Sequence, residues 1–533
     1  MKFSNEQLQA INSTSHSILC LAAAGAGKTA VMINRIARLV DSGIDPESIL
    51  ALTFTNAAAF EMRQRYKILH PSGGKCPEFR TFHSFCYSII IRSKAVRERL
   101  GYEKVPEVCD EKDFTKLKKE LVIQLGLKLT EHEIETGEAI GREHERQLDI
   151  FNKALRKELR TRNLITFDMM CYNVGQLFVQ DDECIQGFKK RYKYIAVDEF
   201  QDTDKKQFDF VSSFGSDVNY FLCGDALQCI YQFRNCTNKY VKTLAEAPDW
   251  TLIKLHNNYR STRQICEFAN KFSTYAKDTY RIEMIGQRDG DEVEVIRGAC
   301  AGFNSYVDEG HLKMLVQHLM DDPVESAILC RSNKEVNAVG AYLKEHDIEY
   351  TRSTKETDAI FLLNSALDNN YMKEWLATLL DGPKYADFVR LSTQKGDTDI
   401  RWFLSLYGDV PKIKDKVSKI VKLRQIVSDP SSSIQGKVAD LKKVLKVKAS
   451  KEFDIQEGMS SRQIIESLRD QMLVSEETKI YIGTIHSSKG LEYDHVYVMG
   501  VNDKLFQLGD EEMNNLYYVA ITRAKNHLTV FRR

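Results

Sequence analysis

Short runs of apolar and β-branched residues recur along the chain, and each run ends in a loop of small and polar residues. A strand that is covered by helices on both faces has no polar side, so continuous apolar runs of this kind predict the strands of a parallel sheet. The predicted strands are Ile18–Ala22, Ile49–Thr53, Tyr194–Val197, Tyr220–Cys223, Ala327–Cys330, Ile480–Gly483 and His495–Met499.

Helical patterns lie between most of these strands, for example at Ala30–Asp41 and Ala57–Tyr66. Alternation of strands and helices predicts an α/β architecture. Two long stretches, residues 91–165 and 355–475, break the alternation because they are helix-patterned and rich in charge. We interpret them as mainly helical insertions, one in each of two α/β domains. The first domain is then expected to comprise residues 1–90 and 166–252, and the second to comprise residues 253–354 and 476–533.

Composition excludes several classes of protein. The chain has 75 Lys+Arg and 75 Asp+Glu, so it has no overall bias toward nucleic acids or membranes, and any anion-binding surface must be local. It contains no run of about 18 apolar residues and no N-terminal signal pattern, so we expect a cytoplasmic protein that has no membrane partner. The 12 cysteines form no Cys-x-x-Cys pair, which favours free thiols over a zinc or iron–sulfur site.

A loop of small residues, AAAGAGKT at residues 22–29, follows the first predicted strand and precedes a helical pattern. In this context successive backbone N–H groups surround phosphate oxygens, and the positive end of the helix points at them. Lys28 adds a positive charge, and the Thr29 hydroxyl is suited to bind Mg²⁺. The sequence therefore predicts an ATP and Mg²⁺ site formed by Ala24, Gly25, Ala26, Gly27, Lys28 and Thr29.

Two carboxylates, Asp198 and Glu199, directly follow the predicted strand Tyr194–Val197. In phosphoryl transfer one carboxylate can hold Mg²⁺ while another polarises the attacking water. We assign the metal to Asp198, together with Thr29, and the water to Glu199. With the phosphate-binding loop upstream, this pair predicts an ATP hydrolase.

The string DEFQDT at residues 198–203 resembles the second motif of the UvrD/Rep/PcrA family of superfamily 1 helicases. Segments that resemble other family motifs occur before and after this string, in the family's order. They lie at residues 3–7, 53–62, 81–84, 224–234, 258–262, 327–333, 484–493 and 518–524. The resemblance implies two RecA-like, parallel-sheet P-loop motor domains, each with a mainly helical insertion. It also implies that ATP is hydrolysed in the cleft between them.

The same resemblance implies contacts to the nucleoside. Gln7 would read adenine, Tyr259 would stack on it, and Glu492 would accept hydrogen bonds from the ribose. Ala30 occupies a position where the family often has an arginine that packs on adenine, which leaves Gln7 and Tyr259 to hold the base.

The γ-phosphate needs positive charge as it separates from ATP, and an arginine from a second domain supplies it only when the cleft is closed. Arg260 and Arg523 are the candidates, because both lie in the second predicted domain. Taken alone, each arginine is better read as a surface ion pair, and Tyr259 as a core contact; the functional interpretation rests on the motifs taken together. By resemblance Gln228 is the γ-phosphate sensor. The expected catalytic residues are Lys28, Asp198, Glu199, Gln228, Arg260 and Arg523.

A motor that moves along any sequence needs phosphate contacts and aromatic faces on which bases stack. Residues of these types lie in the segments that resemble the family's strand-contacting motifs. The expected DNA contacts are Phe54, Thr55, Asn56, Thr81, Phe82, His83, Tyr231, Phe233, Arg234 and His486. For Phe54 and Phe82 a position in the core of the sheet is an equally good interpretation.

A basic segment lies within the second predicted insertion. Residues 411–451 contain twelve Lys+Arg against three Asp, and Lys412, Lys416, Lys419 and Lys422 fall near helical spacing. Such a helix would either contact the phosphates of duplex DNA or form a solvated face. We expect charge reversal of its lysines to weaken duplex binding in the first case only.

Three functions agree with these observations. The first is an ATP-dependent DNA helicase that moves along one strand, with 3′-to-5′ polarity implied by the resemblance. The second is a translocase that unwinds little alone and works in a larger repair, replication or defence assembly. The third is a non-catalytic, nucleotide-gated DNA clamp. The expected partners are single-stranded DNA, single/double-strand junctions and a possible protein loading partner, with RNA as a minor variant of the track and a monomer able to act as the motor.

Overall fold

The computed structural model describes most of the chain, with gaps between its ranges. The described residues are 2–71, 74–109, 111–136, 139, 141–230, 238–273, 280–297, 308–321, 324–351, 355–380, 384, 387–388, 390–391, 399–429, 432–445, 460–474, 480–501 and 511–532. Among the helices in these ranges, none combines the length and the apolar composition that crossing a bilayer requires.

The strands are short, and most of them lie in two sheets. They are β1 (Ser17–Ala22), β2 (Ile49–Thr53), β3 (Glu78–Thr81), β4 (Glu107–Val108), β5 (Leu164–Ile165), β6 (Tyr194–Val197), β7 (Asn219–Gly224), β8 (Thr251–Leu255), β9 (Asn257–Asn258), β10 (Ile285–Gly286), β11 (Glu294–Arg297), β12 (Ser326–Cys330), β13 (Ile480–Thr484), β14 (Tyr493–Val501) and β15 (Ala524–Arg532).

Helices connect the strands and form the two insertions. Those with described bounds are α1 (Asn5–Asn12), α2 (Lys28–Asp41), α3 (Asn56–Leu69), α4 (Phe82–Arg92), α5 (Lys94–Leu100), α6 (Glu111–Gln124), α7 (Glu131–Thr136), α8 (Arg142–Thr161), α9 (Phe167–Val179), α10 (Gln186–Arg191), α11 (Lys205–Ser212), α12 (Lys239–Ala245), α13 (Arg263–Ser273), α14 (Glu309–Asp321), α15 (Asn333–Glu345), α16 (Lys355–Leu367), α17 (Asn369–Thr378), α18 (Ile400–Tyr407), α19 (Pro411–Ser428), α20 (Ile434–Leu445), α21 (Ser461–Val474) and α22 (Glu511–Ile521).

In the described part of the chain, six parallel strands form the first sheet, in the order β3-β2-β6-β7-β1-β8. The central strands β1, β2, β6 and β7 are buried along almost their whole length, as their continuous apolar sequences predict. Parallel strands end at one edge of a sheet, so the loops after β1, β6 and β7 meet there. Those loops carry the phosphate-binding residues, Asp198 and Asp225.

The second sheet contains five parallel strands within the described ranges, in the order β11-β15-β14-β12-β13. Tyr493 at the start of β14 pairs with Ala524 at the start of β15. The Tyr493 N–H also donates to the Arg523 carbonyl oxygen over 2.9 Å. This register brings Glu492 and Arg523, which directly precede the two strands, side by side.

The first insertion is mainly helical and has a small core of its own. Leucine and phenylalanine side chains from α6 and α8 pack together there, and they are Leu117, Leu121, Leu148, Phe151, Leu155 and Leu159. The short pair β4 and β5 closes the base of this insertion.

The second insertion packs against the first α/β domain, although the chain enters and leaves it from the second. Phe60 on α3 is buried within the apolar cluster of this insertion. The Phe60 ring lies 5.3 Å from the Tyr371 ring, centroid to centroid and edge-on, and 6.3 Å from the Phe361 ring. An aromatic contact therefore joins the insertion to the first α/β domain as well.

The predicted fold class is confirmed: the protein is α/β, with two parallel sheets and mainly helical insertions, and all seven predicted strands are present. Of the eleven described strands in the two large sheets, β3, β8, β11 and β15 were not predicted. The predicted domain division after residue 252 falls inside β8 and stays a prediction. That strand pairs along its length with β1, so residues 253–255 belong with the first sheet.

Candidate active site

The phosphate-binding loop connects β1 to α2. Gly25 and Gly27 adopt φ values of +68° and +77°, a region that residues with a Cβ rarely enter. Gly27 caps α2 through its backbone conformation, so the first N–H groups of the helix face the loop. Burial lowers the pKa of Lys28, but the nearby carboxylates of Glu199 and Asp225 outweigh burial and leave it raised. Lys28 is thus held as a partly buried cation at the start of the helix.

Asp198 and Glu199 lie at the end of β6, facing this loop. The Thr29 hydroxyl donates to Asp198 Oδ2 over 3.1 Å, which places the two predicted metal ligands together. Burial, followed by the charge of Glu199, raises the pKa of Asp198. Burial acts in the same direction on Glu199, but Lys28 and Lys489 outweigh it and lower the pKa of Glu199. Of the two carboxylates, Glu199 is therefore the one that is more readily ionised.

The oxygen set of Thr29 and Asp198 fits Mg²⁺, which prefers one or two protein oxygens completed by phosphate and water. Among the described residues, no cluster of three His, Cys, Asp or Glu side chains forms a metal site. A Mg²⁺ ion shared with nucleotide phosphates does not need such a cluster.

Gln228 and Asp225 occupy the loop after β7. Gln228 Nε2 donates to Asp225 Oδ2 over 2.8 Å, and Gln228 Oε1 accepts from Arg523 Nη2 over 3.4 Å. Asp225 is held in turn, because its N–H donates to Gln201 Oε1 and its Oδ1 accepts the Leu227 N–H. Gln228 thus connects Asp225, at the carboxyl end of a first-sheet strand, with Arg523, which directly precedes β15 of the second sheet.

Gly224 permits this arrangement. A Cβ on Gly224 would lie 2.5 Å from Gln201 Oε1 and 3.3 Å from the backbone N of Phe200. Any side chain here would push the β7 loop away from the DEFQDT segment.

Arg523 is almost completely buried between the two sheets, with 1% of its surface exposed. Its Nε donates to the Val519 carbonyl oxygen over 3.0 Å, and its Nη1 donates to the Leu491 carbonyl oxygen over 3.1 Å. Burial, followed by the charge of Arg260, lowers its pKa to about 9. A guanidinium held beside a second arginine in this way is suited to bind an anion.

Arg260 also reaches the second sheet. Its Nε donates to Glu492 Oε2 over 2.6 Å, and its Nη1 donates to the Thr522 carbonyl oxygen over 3.0 Å. Burial raises the pKa of Glu492, but Arg260 outweighs burial and the pKa is lowered. Glu492, the predicted ribose ligand, is therefore an ion-pair partner of Arg260.

The predicted adenine contacts lie next to the phosphate loop. Gln7 Nε2 donates to the Ala26 carbonyl oxygen over 3.0 Å, and Gln7 Oε1 accepts from the Ser4 N–H over 2.9 Å. Tyr259 is 48% exposed, so its ring has a free face, and its N–H donates to the Gly25 carbonyl oxygen over 3.1 Å. Because its ring is exposed, Tyr259 does not occupy the core position that the sequence left open.

A contact that the sequence did not predict joins the two halves of the site. Lys489 Nζ lies 2.5 Å from Asp202 Oδ2 and 2.9 Å from the Gln228 carbonyl oxygen. Both side chains of the ion pair are largely buried. Lys489 lies in the segment 484–493 and Asp202 in the string DEFQDT. The sequence identified both segments as motifs, but it did not predict that these two residues form an ion pair.

The predicted DNA contacts divide into three groups. Phe54, Thr55, Asn56, His83 and His486 are exposed or partly exposed. Thr81 and Phe82 are corrected to structural residues, because the Thr81 hydroxyl caps α4 and both residues are buried. The Phe82 ring packs 5.5 Å from the Phe54 ring and leaves no face for a base. Tyr231, Phe233 and Arg234 lie outside the described residues.

Comparison with known proteins agrees with this site. Residues 3–249 match the family model of the UvrD/REP helicase N-terminal domain, and residues 253–361 and 369–532 match that of the UvrD-like helicase C-terminal domain. The ATP-dependent DNA helicase PcrA of Staphylococcus epidermidis (strain ATCC 35984) is 25% identical over 99% of this chain and 82% of its own length. The PcrA protein of Staphylococcus aureus (strain MRSA252) is 25% identical, over 98% of this chain and 82% of its own.

These matches extend over almost the whole chain and include both sheets and the residues between them. They agree with the order of the motifs along the sequence. The chain therefore belongs to the UvrD/REP family of helicases.

Proposed function

We propose that the protein is an ATP-dependent DNA helicase that moves along single-stranded DNA with 3′-to-5′ polarity and unwinds duplex at single/double-strand junctions on intracellular DNA. The observation that carries the proposal is the chain of contacts from Asp225 through Gln228 to Arg523. It joins the phosphate-binding half of the cleft to the arginine half, so nucleotide chemistry and movement between the sheets involve the same side chains.

In hydrolysis the loop N–H groups and Lys28 would hold the β- and γ-phosphates. Thr29 and Asp198 would hold Mg²⁺, which neutralises phosphate charge when it is bound. Glu199 would orient and deprotonate the attacking water. Arg260 and Arg523 would stabilise the charge that develops as the γ-phosphate leaves.

The proposed coupling to DNA runs through Lys489. This residue lies three positions after His486, a candidate strand contact, and bonds the backbone of Gln228. Thr55 and Asn56 present a second candidate contact at the start of α3, where the Thr55 hydroxyl accepts the Ala58 N–H. A DNA strand bound at both candidate contacts would thereby influence Gln228, the proposed γ-phosphate sensor.

The first test is steady-state ATP hydrolysis with and without single-stranded DNA. We expect strong stimulation by DNA, and no turnover in a Lys28→Ala control, because the loop then lacks its cation. Duplexes with a single-stranded tail on either the 3′ or the 5′ side measure polarity in the same samples. Turnover indifferent to DNA would contradict the proposal, and unwinding from 5′ tails alone would contradict the polarity.

The basic helix α19 supports a second, smaller prediction. Lys412 and Lys422 are exposed, whereas Lys419 pairs with Asp415 at 2.5 Å. Arg424 bonds the backbone of α16, so it contributes to packing. We expect the double variant Lys412→Glu/Lys422→Glu to bind duplex DNA more weakly. The slope of the logarithm of affinity against the logarithm of salt concentration should fall in magnitude by about two.

The readout for α19 is duplex affinity measured over a range of salt concentrations, with ATP turnover as a second measurement. Lys116→Glu, an exposed lysine on α6, is the matched control. Unchanged duplex affinity at low salt would assign α19 to the solvated-face interpretation. Residues 446–451 of the basic segment lie outside the described residues.

A further inference from the structure

Asn258 is completely buried at the end of β9, between the phosphate loop and the loop that carries Arg260. Its Nδ2 donates to the Ala24 carbonyl oxygen over 2.8 Å. Its Oδ1 accepts the N–H groups of Arg260 and Ser261, over 2.8 and 2.7 Å. One amide side chain therefore joins two loops that are 234 residues apart in sequence.

Backbone packing brings the same two loops into direct contact. The Tyr259 N–H donates to the Gly25 carbonyl oxygen over 3.1 Å. A Cβ on Gly25 would lie 2.8 Å from Arg260 Cβ and 2.9 Å from Asn258 Oδ1. The main chain of Arg260 is thus fixed to the phosphate loop of the first sheet.

The guanidinium of Arg260 is held from the opposite side. It bonds Glu492 Oε2 and the Thr522 carbonyl oxygen, from the segments that precede β14 and β15. The Arg260 N–H is therefore tied to the phosphate loop through Asn258, while its charged group is bonded to the segments before the second sheet. A long side chain anchored in this way can change partner by rotation while its main chain stays in place.

We propose that Asn258 is a positioning residue for ATP hydrolysis. It holds the main chain of Arg260 against the phosphate loop, so that the guanidinium passes from Glu492 to the γ-phosphate by side-chain rotation alone. The inference rests on the proposed role of Arg260 at the γ-phosphate. Asn258 makes a bridge, its hydrogen bond to the Ala24 carbonyl oxygen, and a local turn, its hydrogen bonds from the Arg260 and Ser261 N–H groups. The inference adds that the bridge, and not only the local turn, fixes the position of Arg260.

Two substitutions separate the bridge from the turn. Asn258→Ala removes both, whereas Asn258→Ser keeps a hydroxyl that accepts backbone N–H groups in a local turn but does not reach Ala24. We expect both variants to lower kcat for ATP by about 100-fold, as a small misplacement of a catalytic group does. ADP affinity should change little, because ADP lacks the γ-phosphate that Arg260 contacts.

Asn219→Ala is the matched control. Asn219 also joins two segments with its amide, because its Nδ2 donates to the Lys193 carbonyl oxygen over 3.3 Å. It does so at the start of β7, whereas the active-site loops follow the other ends of the strands. Thermal unfolding of every variant checks the fold, and we expect Asn219→Ala to retain the parental kcat.

The deciding measurement combines Asn258→Ser with Arg260→Ala. If Asn258 acts through Arg260, the double variant turns over no more slowly than Arg260→Ala alone. Multiplicative losses, or a parental kcat in Asn258→Ser, would overturn the inference while leaving the role of Arg260 intact. A parental kcat in Arg260→Ala would instead overturn the proposed role of that arginine.

Discussion

Replacing Arg523 with alanine should lower kcat for ATP hydrolysis by about 1,000-fold, the lower range for loss of a charge-stabilising arginine in phosphoryl transfer. Arg523 is buried, and its guanidinium bonds Gln228 on the first sheet while its other nitrogens bond the Val519 and Leu491 carbonyl oxygens. The measurement is DNA-stimulated steady-state turnover.

Arg523→Lys tests geometry separately from charge. A lysine ammonium keeps the positive charge but cannot satisfy two carbonyl oxygens and reach Gln228 at once. We therefore expect Arg523→Lys to be nearly as impaired as Arg523→Ala. Arg263→Lys, at an exposed ion pair with Asp289, is the control and should keep parental turnover. Thermal unfolding and ADP affinity verify the fold, and a parental kcat in Arg523→Lys would show that charge alone suffices.

The central strands were predictable because they are apolar without interruption. The strands that sequence missed have different patterns for a physical reason. β3, β8 and β11 lie at sheet edges, where part of each strand stays exposed and polar residues interrupt the apolar ones. β15 is internal, but Lys525, Asn526 and His527 follow its first residue, Ala524, and this polar run hides the apolar second half of the strand.

The edge strand β13 is an instructive exception, because sequence did predict it. Thr351 forms a bridge to Tyr481, donating to the Ile480 carbonyl oxygen and accepting the Ile482 N–H, each over 2.8 Å. The outer side of β13 is therefore covered, and the strand keeps the apolar sequence of an internal one. Burial, more than position in the sheet, determines which strands can be found from sequence.

The candidate site divides in the same way. Contiguous strings such as AAAGAGKT and DEFQDT were visible because a loop and its flanking strand are neighbours in sequence. Contacts between distant segments were not. Phe60, which reads as a core residue of α3, instead enters the apolar cluster of the second insertion. Thr81 and Phe82 sit within a strand-contacting motif but serve the helix cap and the core.

The Phe60 contact has a mechanical consequence. Helix α3 begins at the candidate DNA contacts Thr55 and Asn56, and its body is packed into the second insertion. The insertion is joined covalently to the second motor domain. Relative movement of the two motor domains must therefore either carry α3 with the insertion or break the contact between the Phe60 and Tyr371 rings.

Removing the charge of Lys489 should separate DNA binding from ATP turnover. In Lys489→Met the buried carboxylate of Asp202 loses this partner, and Gln228 loses the bond from the segment that carries His486. Breaking a buried ion pair from one side typically costs about 3–5 kcal/mol. We expect a lower melting temperature and loss of most of the stimulation of ATP turnover by single-stranded DNA, with ADP affinity retained.

The paired variant Asp202→Asn/Lys489→Met distinguishes an ion pair from two independent effects. Burial raises the pKa of Asp202 to about 6, even though Lys489 opposes that rise, so neutral asparagine is tolerated at this position. The double variant should therefore be more stable than Lys489→Met alone, which gives a coupling energy in a double-mutant cycle. Lys205→Met, which breaks an exposed pair with Asp209 on α11, is the control and should change stability by less than about 1 kcal/mol. Additive losses, with DNA stimulation intact, would mean that Lys489 neither pairs with Asp202 in solution nor transmits strand binding to Gln228.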